Sequence, residues 1–317
     1  MLAALAALAA VGLAVFALFE NAKTYVRRAE ARWPAQGRFV DADDAKLHVR
    51  EAGPENAQRV LLIHGASANL RELWGPIGDK LKDDHRVIAM DRPGYGYSAR
   101  PAREAQKLSV QARLAARVLD GKPALVVAHS LGCAVALRLA LDFPELVEGL
   151  VLISPASHPY PGDNAWWARL AAARLAGPAF CWTLIPLVGP AMSTGGVANN
   201  FYPAPTPANY YEDAGVGLFF RPRTFRASAQ DVVATQAEFA AQAPFYPEIL
   251  AHTIIITTDK DKVVSPQRHA RGLARDLPAA ELVIAPGAGH MPHRLRPDLV
   301  LAAIRRVQAM EAPVAES

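Results

Sequence analysis

Residues Leu125–Gly132 read LVVAHSLG and are the part of the chain most informative about its fold. Its first half is a continuous apolar run with β-branched residues, which favours a buried strand. Its second half leads directly into residues 131–143, which read as an amphipathic helix. Ser130 therefore lies at a sharp strand-to-helix turn, where Ala128 and Gly132, two places away on either side, are small enough for crowded backbone. Such a turn projects the serine as a nucleophile, although a serine at this place can also simply cap the helix.

The flanking sequence repeats this alternation of strand and helix. Continuously apolar strands separated by helices indicate a parallel sheet that is covered on both faces. In such a sheet, the functional residues gather at the carboxyl ends of the strands. The predicted strands are 38–40, 46–51, 60–63, 87–90, 125–128, 150–153, 254–257 and 282–285. The predicted helices between them are 70–81, 109–119, 131–143, 267–276 and 297–310.

The alternation stops between Ile153 and Ile254, an interval that holds twelve of the 25 prolines and most of the aromatic residues. Irregular loops of this length are rare inside compact domains, so we expect a folded insertion. The predicted organisation is a core made of residues 37–154 and 248–312, with a helical cap at residues 155–247.

The first residues predict a membrane segment. Residues 2–19 contain only Leu, Ala, Val, Phe and Gly, and as a helix they would be roughly 27 Å long, close to the thickness of bilayer hydrocarbon. We therefore expect a membrane segment at 1–20 and a linker, a short polar helix ending near Pro34, at 21–36. The first charge is Glu20 and the cations follow the apolar run, which favours an uncleaved anchor with the domain on the cytoplasmic side. The alternative is cleavage, which would leave a secreted or periplasmic protein.

Composition excludes several classes of protein. Hydrophobic residues make up 51% of the 317 residues, so the chain can bury a large core and is not a disordered protein. The formal charge of +4 comes from arginines spread along the chain, so no nucleic-acid partner is expected. The two cysteines, Cys133 and Cys181, lack the spacing of a zinc or redox pair, and no metal is expected. The sequence sets no oligomeric state.

A serine hydroxyl needs a base to remove its proton and a further residue to orient that base. Two polar loops follow predicted strands after the cap: residues 258–262 read TDKDK and residues 286–293 read PGAGHMPH. Both loops stand beyond the carboxyl end of a strand, where they can meet Ser130 over the sheet. They supply the candidate acids Asp259 and Asp261 and the candidate bases His290 and His293.

Four motifs occur in a characteristic order along the chain. They are LIHGA at 62–66, DRPGYGYS at 91–98, AHSLG at 128–132 and GAGH at 287–290. Together they resemble the α/β-hydrolase superfamily over about residues 38–310. The resemblance implies the α/β-hydrolase fold, with a mostly parallel eight-stranded sheet flanked by helices, here with a helical cap and an N-terminal apolar helix. The chain departs from the family at Ala128, where the usual residue is glycine.

The resemblance also implies roles for individual residues. Ser130 would be the nucleophile, His290 the general base and Asp261 the acid, because Asp261 stands at the family's spacing before a Val-Val pair. The backbone amides of Ala66 and Leu131 would form the oxyanion hole.

The neighbouring candidates receive other interpretations. Asp259 is expected to be a solvated turn residue, and His293 a residue at the rim of the site or one that supports the site from behind. Asp163, on the segment after the strand that ends at Ile153, would be a rarer variant of the acid.

The implied function is a serine hydrolase that cleaves a hydrophobic carboxylic ester through an acyl-enzyme, without metal or cofactor. The aromatic cap and the membrane segment favour a small, lipid-like ester as the substrate. Dehalogenases and epoxide hydrolases of this fold carry an aspartate at the elbow, so Ser130 argues against both. Carbon–carbon bond hydrolases, thioesterases, amidases and perhydrolases use the same triad and stay open as alternatives. A low-turnover ligand-binding protein of the same fold is the alternative from a different class.

Overall fold

The computed structural model describes residues 1–311, and residue 312, the last one predicted for the core, lies outside this range. Eight strands form one sheet in the order β1-β2-β4-β3-β5-β6-β7-β8. The pairs β1–β2 and β2–β4 are antiparallel, and the other pairs are parallel. The strands are β1 (Arg38–Ala42), β2 (Ala45–Ala52), β3 (Arg59–Ile63), β4 (Arg86–Met90), β5 (Ala124–His129), β6 (Val147–Ile153), β7 (Thr253–Thr257) and β8 (Ala280–Ile284). The predicted mostly parallel, eight-stranded sheet is confirmed.

Helices flank the sheet and fill the insertion between β6 and β7. They are α1 (Leu2–Arg32), α2 (Arg71–Leu73), α3 (Asp79–Leu81), α4 (Leu108–Leu119), α5 (Leu131–Asp142), α6 (Trp166–Ala172), α7 (Ala176–Thr183), α8 (Ile185–Phe201), α9 (Tyr210–Asp213), α10 (Pro222–Gln242), α11 (Ala270–Asp276), α12 (Pro292–Leu295) and α13 (Pro297–Glu311). Single 3-10 turns occur at Pro144–Leu146, Val216–Phe220 and Ala243–Glu248.

The core has one apolar layer on each face of the sheet, which explains why the central strands are apolar throughout. Val126 and Ala128 of β5 pack with α4 and α5 on one face. Leu125 and Val127 of the same strand pack with α13 and with residues 70–81 on the other face. Successive side chains of a strand point to opposite faces, so β5 at the centre of the sheet is buried on both sides.

The segment predicted as one helix at 70–81 is broken in the structure. α2 and α3 are separated by a wider π-helical turn, Trp74–Gly78. Pro76 lies inside that turn and has no backbone N–H to continue the α-helical hydrogen bonding.

The N-terminal apolar helix is present, and it extends further than expected. α1 runs without a break for 31 residues; its first 18-residue apolar window is entirely unburied. The second part packs against the insertion: the Tyr25 hydroxyl donates to the Gly217 carbonyl (2.8 Å) and Arg221 pairs with Glu30 (2.8 Å). The predicted linker is therefore the packed continuation of the apolar helix, because residues 13–33 contain neither glycine nor proline to interrupt it before Pro34.

Helices α6–α10, hereafter the cap, lie against the loops at the carboxyl edge of the sheet. Asp231 of α10 accepts hydrogen bonds from Arg92 (3.1 Å) and Arg100 (2.8 Å), which belong to the segment after β4. Arg92 and Asp231 are both buried. A buried charge is costly unless it is paired, so this contact holds the cap in one position over the core.

Candidate active site

The three residues proposed for catalysis lie at the same edge of the sheet. Ser130 directly follows β5, Asp261 is on the loop after β7, and His290 is on the loop after β8. These strands lie in the order β5-β6-β7-β8, and their carboxyl ends all open onto the side covered by the cap. Residues that are 160 positions apart in sequence are thus brought to one surface of the core.

Ser130 adopts a backbone conformation that is unusual for a residue with a side chain. Its φ and ψ are 52° and −122°, outside the ordinary regions. Its N–H donates to the Ile153 carbonyl (2.9 Å), and its carbonyl accepts from the amides of Cys133 (3.0 Å) and Ala156 (3.2 Å). β6 and α5 therefore fix the strained turn from both sides, which is how strain persists at functional sites.

The residues around Ser130 are small because larger side chains would clash with the neighbouring backbone. A β-carbon on Gly132 would lie 2.5 Å from the carbonyl oxygens of Ile63 and His64, so no larger residue fits there. A β-carbon on Gly65 would lie 3.0 Å from the β-carbon of Ser130. Ala128 is fully buried in β5, so a methyl group is accommodated at the position where the family has glycine.

His290 and Asp261 form a direct hydrogen bond. His290 Nδ1 lies 2.7 Å from Asp261 Oδ2, and both side chains are buried. An ionised carboxylate only accepts, so Nδ1 carries the proton and Nε2 is free to accept one. Asp261 Oδ1 accepts from the backbone amides of Val263 (2.8 Å) and Val264 (2.9 Å). This turn orients the carboxylate and explains the spacing of the acid and the two valines.

The competing acids lie elsewhere. Asp259 is exposed, and its Oδ1 accepts from the Gly287 amide (2.9 Å); that hydrogen bond lowers the pKa of Asp259. Asp163 is exposed and lies 3.8 Å from Arg169. Neither carboxylate contacts His290.

The loop that carries His290 is held from two directions. The His290 amide donates to the Asn200 carbonyl at the end of α8 (2.7 Å). The Thr258 hydroxyl donates to the Gly289 carbonyl (2.7 Å). The cap and the loop after β7 therefore both set the position of the imidazole.

His129, the residue before Ser130, forms a hydrogen bond with the backbone of His290. His129 Nε2 donates to the His290 carbonyl (3.0 Å), and the two imidazole centroids are 4.8 Å apart. Within residues 1–311, the Ser130 hydroxyl forms no hydrogen bond with the His290 ring. Catalytic hydrogen bonds are often long without substrate and shorten in the reacting complex. Both residues are buried under the cap, Ser130 at 8% and His290 at 4% exposure.

The two backbone amides expected to form an oxyanion hole are free donors. Neither Ala66 nor Leu131 donates its N–H to any other part of the described chain. Leu131 is the first residue of α5, where helical N–H groups have no partner within the helix. Ala66 follows Gly65, whose backbone lies against Ser130.

A buried polar cluster next to the site was not found from the sequence. Glu72 of α2 accepts hydrogen bonds from His293 Nε2 (2.8 Å), Arg294 Nε (2.9 Å) and the Tyr210 hydroxyl (2.9 Å). Burial alone would raise the pKa of Glu72, but the Arg294 charge and the His293 hydrogen bond outweigh it and lower that pKa far below its ordinary value. His293 is fully buried and its ring centroid lies 4.4 Å from that of His129, so of its two expected places it occupies the one behind the site and not the rim. The one signal in the sequence is a carboxylate in a mostly apolar run, Leu70–Ile77, in which the only other charged residue is Arg71.

The polar residues of the first two motifs have structural contacts. His64 Nδ1 donates to the Gly65 carbonyl (2.8 Å) and its Nε2 accepts from the Arg92 amide (3.0 Å). Burial lowers the pKa of His64 to about 4, so it is neutral near pH 7. Asp91 accepts from His48 Nδ1 (2.7 Å) and from the amides of Leu70 (2.8 Å) and Tyr97 (2.9 Å). These side chains fix the loops around the nucleophile.

Two open cavities lie beside α1, away from Ser130. The larger, about 810 Å³, lies between α1, α7, α10 and residues 94–100, and the smaller, about 780 Å³, lies between the end of α1, α9 and residues 71–80. Within residues 1–311, no group of three or more His, Cys, Asp or Glu side chains is arranged to hold a metal ion.

Comparison with known proteins agrees with this architecture. Residues 60–303 match the model of the alpha/beta hydrolase family. An uncharacterized protein of Mycobacterium tuberculosis is 30% identical over 279 residues, which cover 81% of this chain and 76% of that protein. The 2-(acetamidomethylene)succinate hydrolase of Mesorhizobium japonicum is 26% identical, over 84% of this chain and 93% of that enzyme. A crystal structure of a bacterial membrane phospholipase A aligns with a TM-score of 0.64 and 21% identity, over 99% of both chains. The chain belongs to the alpha/beta hydrolase family.

Proposed function

We propose that this protein is a serine hydrolase that cleaves hydrophobic carboxylic esters at the membrane through an acyl-enzyme. The observation that carries the proposal is the strained Ser130 at the head of α5, at the same sheet edge as the hydrogen-bonded pair His290–Asp261. A serine that only capped α5 would need no left-handed φ, and its side chain makes no capping hydrogen bond.

The proposed mechanism uses these residues in the arrangement described above. As the Ser130 oxygen attacks the carbonyl carbon, His290 Nε2 takes the hydroxyl proton, and Asp261 stabilises the imidazolium through Nδ1. The free amides of Ala66 and Leu131 then donate to the tetrahedral oxyanion, each contributing about 3 kcal/mol by comparison with other enzymes. The histidine returns the proton to the leaving alcohol, and the same groups activate water to release the acyl chain.

Two features support a hydrophobic substrate held near a bilayer. Ser130 lies under a cap rich in aromatic residues, where an apolar chain would be removed from water. The apolar part of α1 is long enough to span bilayer hydrocarbon and is exposed along its length. We propose that it is an uncleaved anchor with the catalytic domain on the cytoplasmic side, as the cations after it favour. Phospholipids, the substrate class in the name of the membrane phospholipase A that aligns over 99% of this chain, therefore belong in the test panel.

The test is covalent labelling combined with kinetics. We expect wild-type protein to react with a fluorophosphonate probe and Ser130→Ala to lose both the label and about 10^6-fold in kcat. With p-nitrophenyl esters, kcat/KM should rise with acyl length by up to about fourfold for each methylene that is buried.

Ser154→Ala is the matched control. Ser154 follows β6 at the same sheet edge, is buried and also has a positive φ, 44°, but no helix follows it directly. This variant should keep the label and the activity. Wild-type protein that neither reacts with the probe nor hydrolyses any ester of the panel would refute the proposed function.

A further inference from the structure

The cap exposes large apolar side chains on one pair of helices. Five of them lie in or next to α7 and α8, and we call this set the α7–α8 face: Leu175 (89%), Leu184 (42%), Leu187 (53%), Val188 (41%) and Met192 (74%). Soluble proteins rarely expose contiguous apolar patches larger than roughly a few hundred Å², and such patches commonly bind a partner or a membrane.

The sequence of this region lacks the charges of an ordinary surface. Residues 175–211 contain no Asp, Glu, Lys or Arg, although such residues make up 20% of the chain. A helix at the surface of a soluble protein normally turns a charged face to water. α7 and α8 meet at an angle of 73°. Taken together as one bent segment, they are as apolar as a membrane-spanning helix.

The α7–α8 face lies beside the point where α1 would leave a bilayer. Phe19, the last residue of the apolar run, stacks on Trp182 of α7 with ring centroids 4.9 Å apart. Tryptophan is enriched at the boundary between hydrocarbon and headgroups, so we expect α7 to lie at that depth. Lys23, Arg27 and Arg28 follow within the next turns of α1 and are exposed, where lipid phosphates would lie.

The far end of α8 reaches the catalytic loop. With 17 residues, α8 is about 25 Å long. It begins at Ile185, near Trp182, and ends at Phe201, where the Asn200 carbonyl accepts the His290 amide (2.7 Å). One end of α8 is thus expected near the lipid headgroups, and the other end contacts the loop that carries the proposed base.

We propose that the α7–α8 face lies in the surface of the phospholipid bilayer, as a second membrane contact beside α1, and that the active site takes its ester from that lipid. A bilayer is favoured over a second copy of the chain because the face continues from the exposed apolar part of α1 through the Phe19–Trp182 stack. The membrane contact rests on the surface of the cap and on its continuity with α1, whereas the lipid route rests on the proposed function.

Depth-dependent quenching tests the contact in the full-length protein. The native Cys133 and Cys181 are buried, so an environment-sensitive NBD dye can be attached at single cysteines introduced as Leu187→Cys or Met192→Cys. Leu8→Cys in the apolar part of α1 is the membrane control, and Lys122→Cys, exposed at the amino edge of the sheet, is the aqueous control. The proteins are placed in phosphatidylcholine–phosphatidylglycerol vesicles with or without nitroxide-labelled lipid.

We expect nitroxide lipid to quench the dye at positions 8, 187 and 192 and to leave position 122 unchanged. Quenching at position 8 without quenching at 187 and 192 would overturn the proposal. A blue-shifted but unquenched dye at 187 and 192 would do the same, because a second copy of the chain would then cover the face. If position 8 is also unquenched, the protein does not enter the membrane and the proposal fails.

A charge on the α7–α8 face tests the lipid route. The double variant Leu187→Glu, Met192→Glu should lose at least about tenfold in the hydrolysis of long-chain esters presented in vesicles. Its rate on a short, water-soluble p-nitrophenyl ester should stay at the wild-type value. Leu250→Glu, at a leucine outside the cap that is at least as exposed as Leu187 and Met192, is the control and should change neither rate. Equal loss on both substrates, or loss on neither, would overturn the lipid route. Wild-type protein without hydrolysis of either ester would refute the proposed function, while the quenching result still decides the membrane contact.

Discussion

Asp261 and Asp259 lie two residues apart on the loop after β7, and only Asp261 contacts His290. Replacing Asp261 by Asn keeps the shape of the side chain but removes the negative charge that stabilises the imidazolium, and it favours the wrong tautomer. We therefore expect kcat on a short p-nitrophenyl ester to fall about 10^4-fold. Asp259→Asn is the matched control, because its amide oxygen still accepts from Gly287, and its kcat should stay near the wild-type value. A larger loss in the Asp259 variant would reassign the acid.

At the residue scale, the pair Asp261–His290 could be inferred from sequence because each residue has a local signature. The carboxylate of Asp261 is oriented by the amides of Val263 and Val264, so the spacing of the acid and the two valines has a direct structural cause. Glu72 has no such signature. Its partners Tyr210, His293 and Arg294 are 138 to 222 positions away, and only the folded chain brings them together.

At the element scale, Glu72 joins three elements: α2, the cap helix α9 through Tyr210, and α12 through His293 and Arg294. Glu72→Gln leaves the largely buried guanidinium of Arg294 without its counter-charge, which should cost about 3 kcal/mol in the free energy of unfolding. Because α12 begins two residues after His290, we also expect kcat to fall by about tenfold or more as the imidazole shifts. Urea denaturation and ester kinetics measure the two effects.

Tyr210→Phe provides the comparison for Glu72→Gln. It removes one hydrogen bond to Glu72 and leaves the charge pair with Arg294 intact, so the loss of stability should be about 1 kcal/mol. Equal unfolding midpoints for wild type and Glu72→Gln would show that the cluster contributes nothing to stability.

The elements differ in how well local sequence predicts them. β5 and α5 were predictable because a strand buried on both faces and the helix after it have continuous apolar signatures. The π turn Trp74–Gly78 was not predictable from sequence, because Pro76 is compatible either with the start of a helix or with a distortion inside one. The packing of α1 on the cap was not predictable either. Its contacts, such as Arg221–Glu30, join residues far apart in the chain and depend on where the cap folds.

At the scale of the whole molecule, buried histidines make stability depend on pH. Burial lowers the pKa of four of them in the folded protein: His64, His129, His269 and His293. For His64 the folded pKa is about 4, against about 6.5 in an unfolded chain. Between these two values the unfolded chain binds a proton that the folded protein does not, so acid favours unfolding in this window.

We therefore expect the free energy of unfolding to decrease as the pH is lowered from about 6.5 to about 4, with His64 alone contributing about 3 kcal/mol. Urea denaturation at several pH values in this range measures the slope. His64→Gln should be less stable than wild type near pH 7, because its amide replaces the two hydrogen bonds imperfectly, but it should lose less stability on acidification. Two results would contradict a role of His64 in the pH dependence of stability. One is a wild-type protein that is equally stable at pH 6.5 and pH 4.5. The other is a His64→Gln variant whose free energy of unfolding depends on pH as steeply as that of the wild type. The reason is physical: only a group whose affinity for protons differs between the folded and the unfolded chain can couple stability to pH.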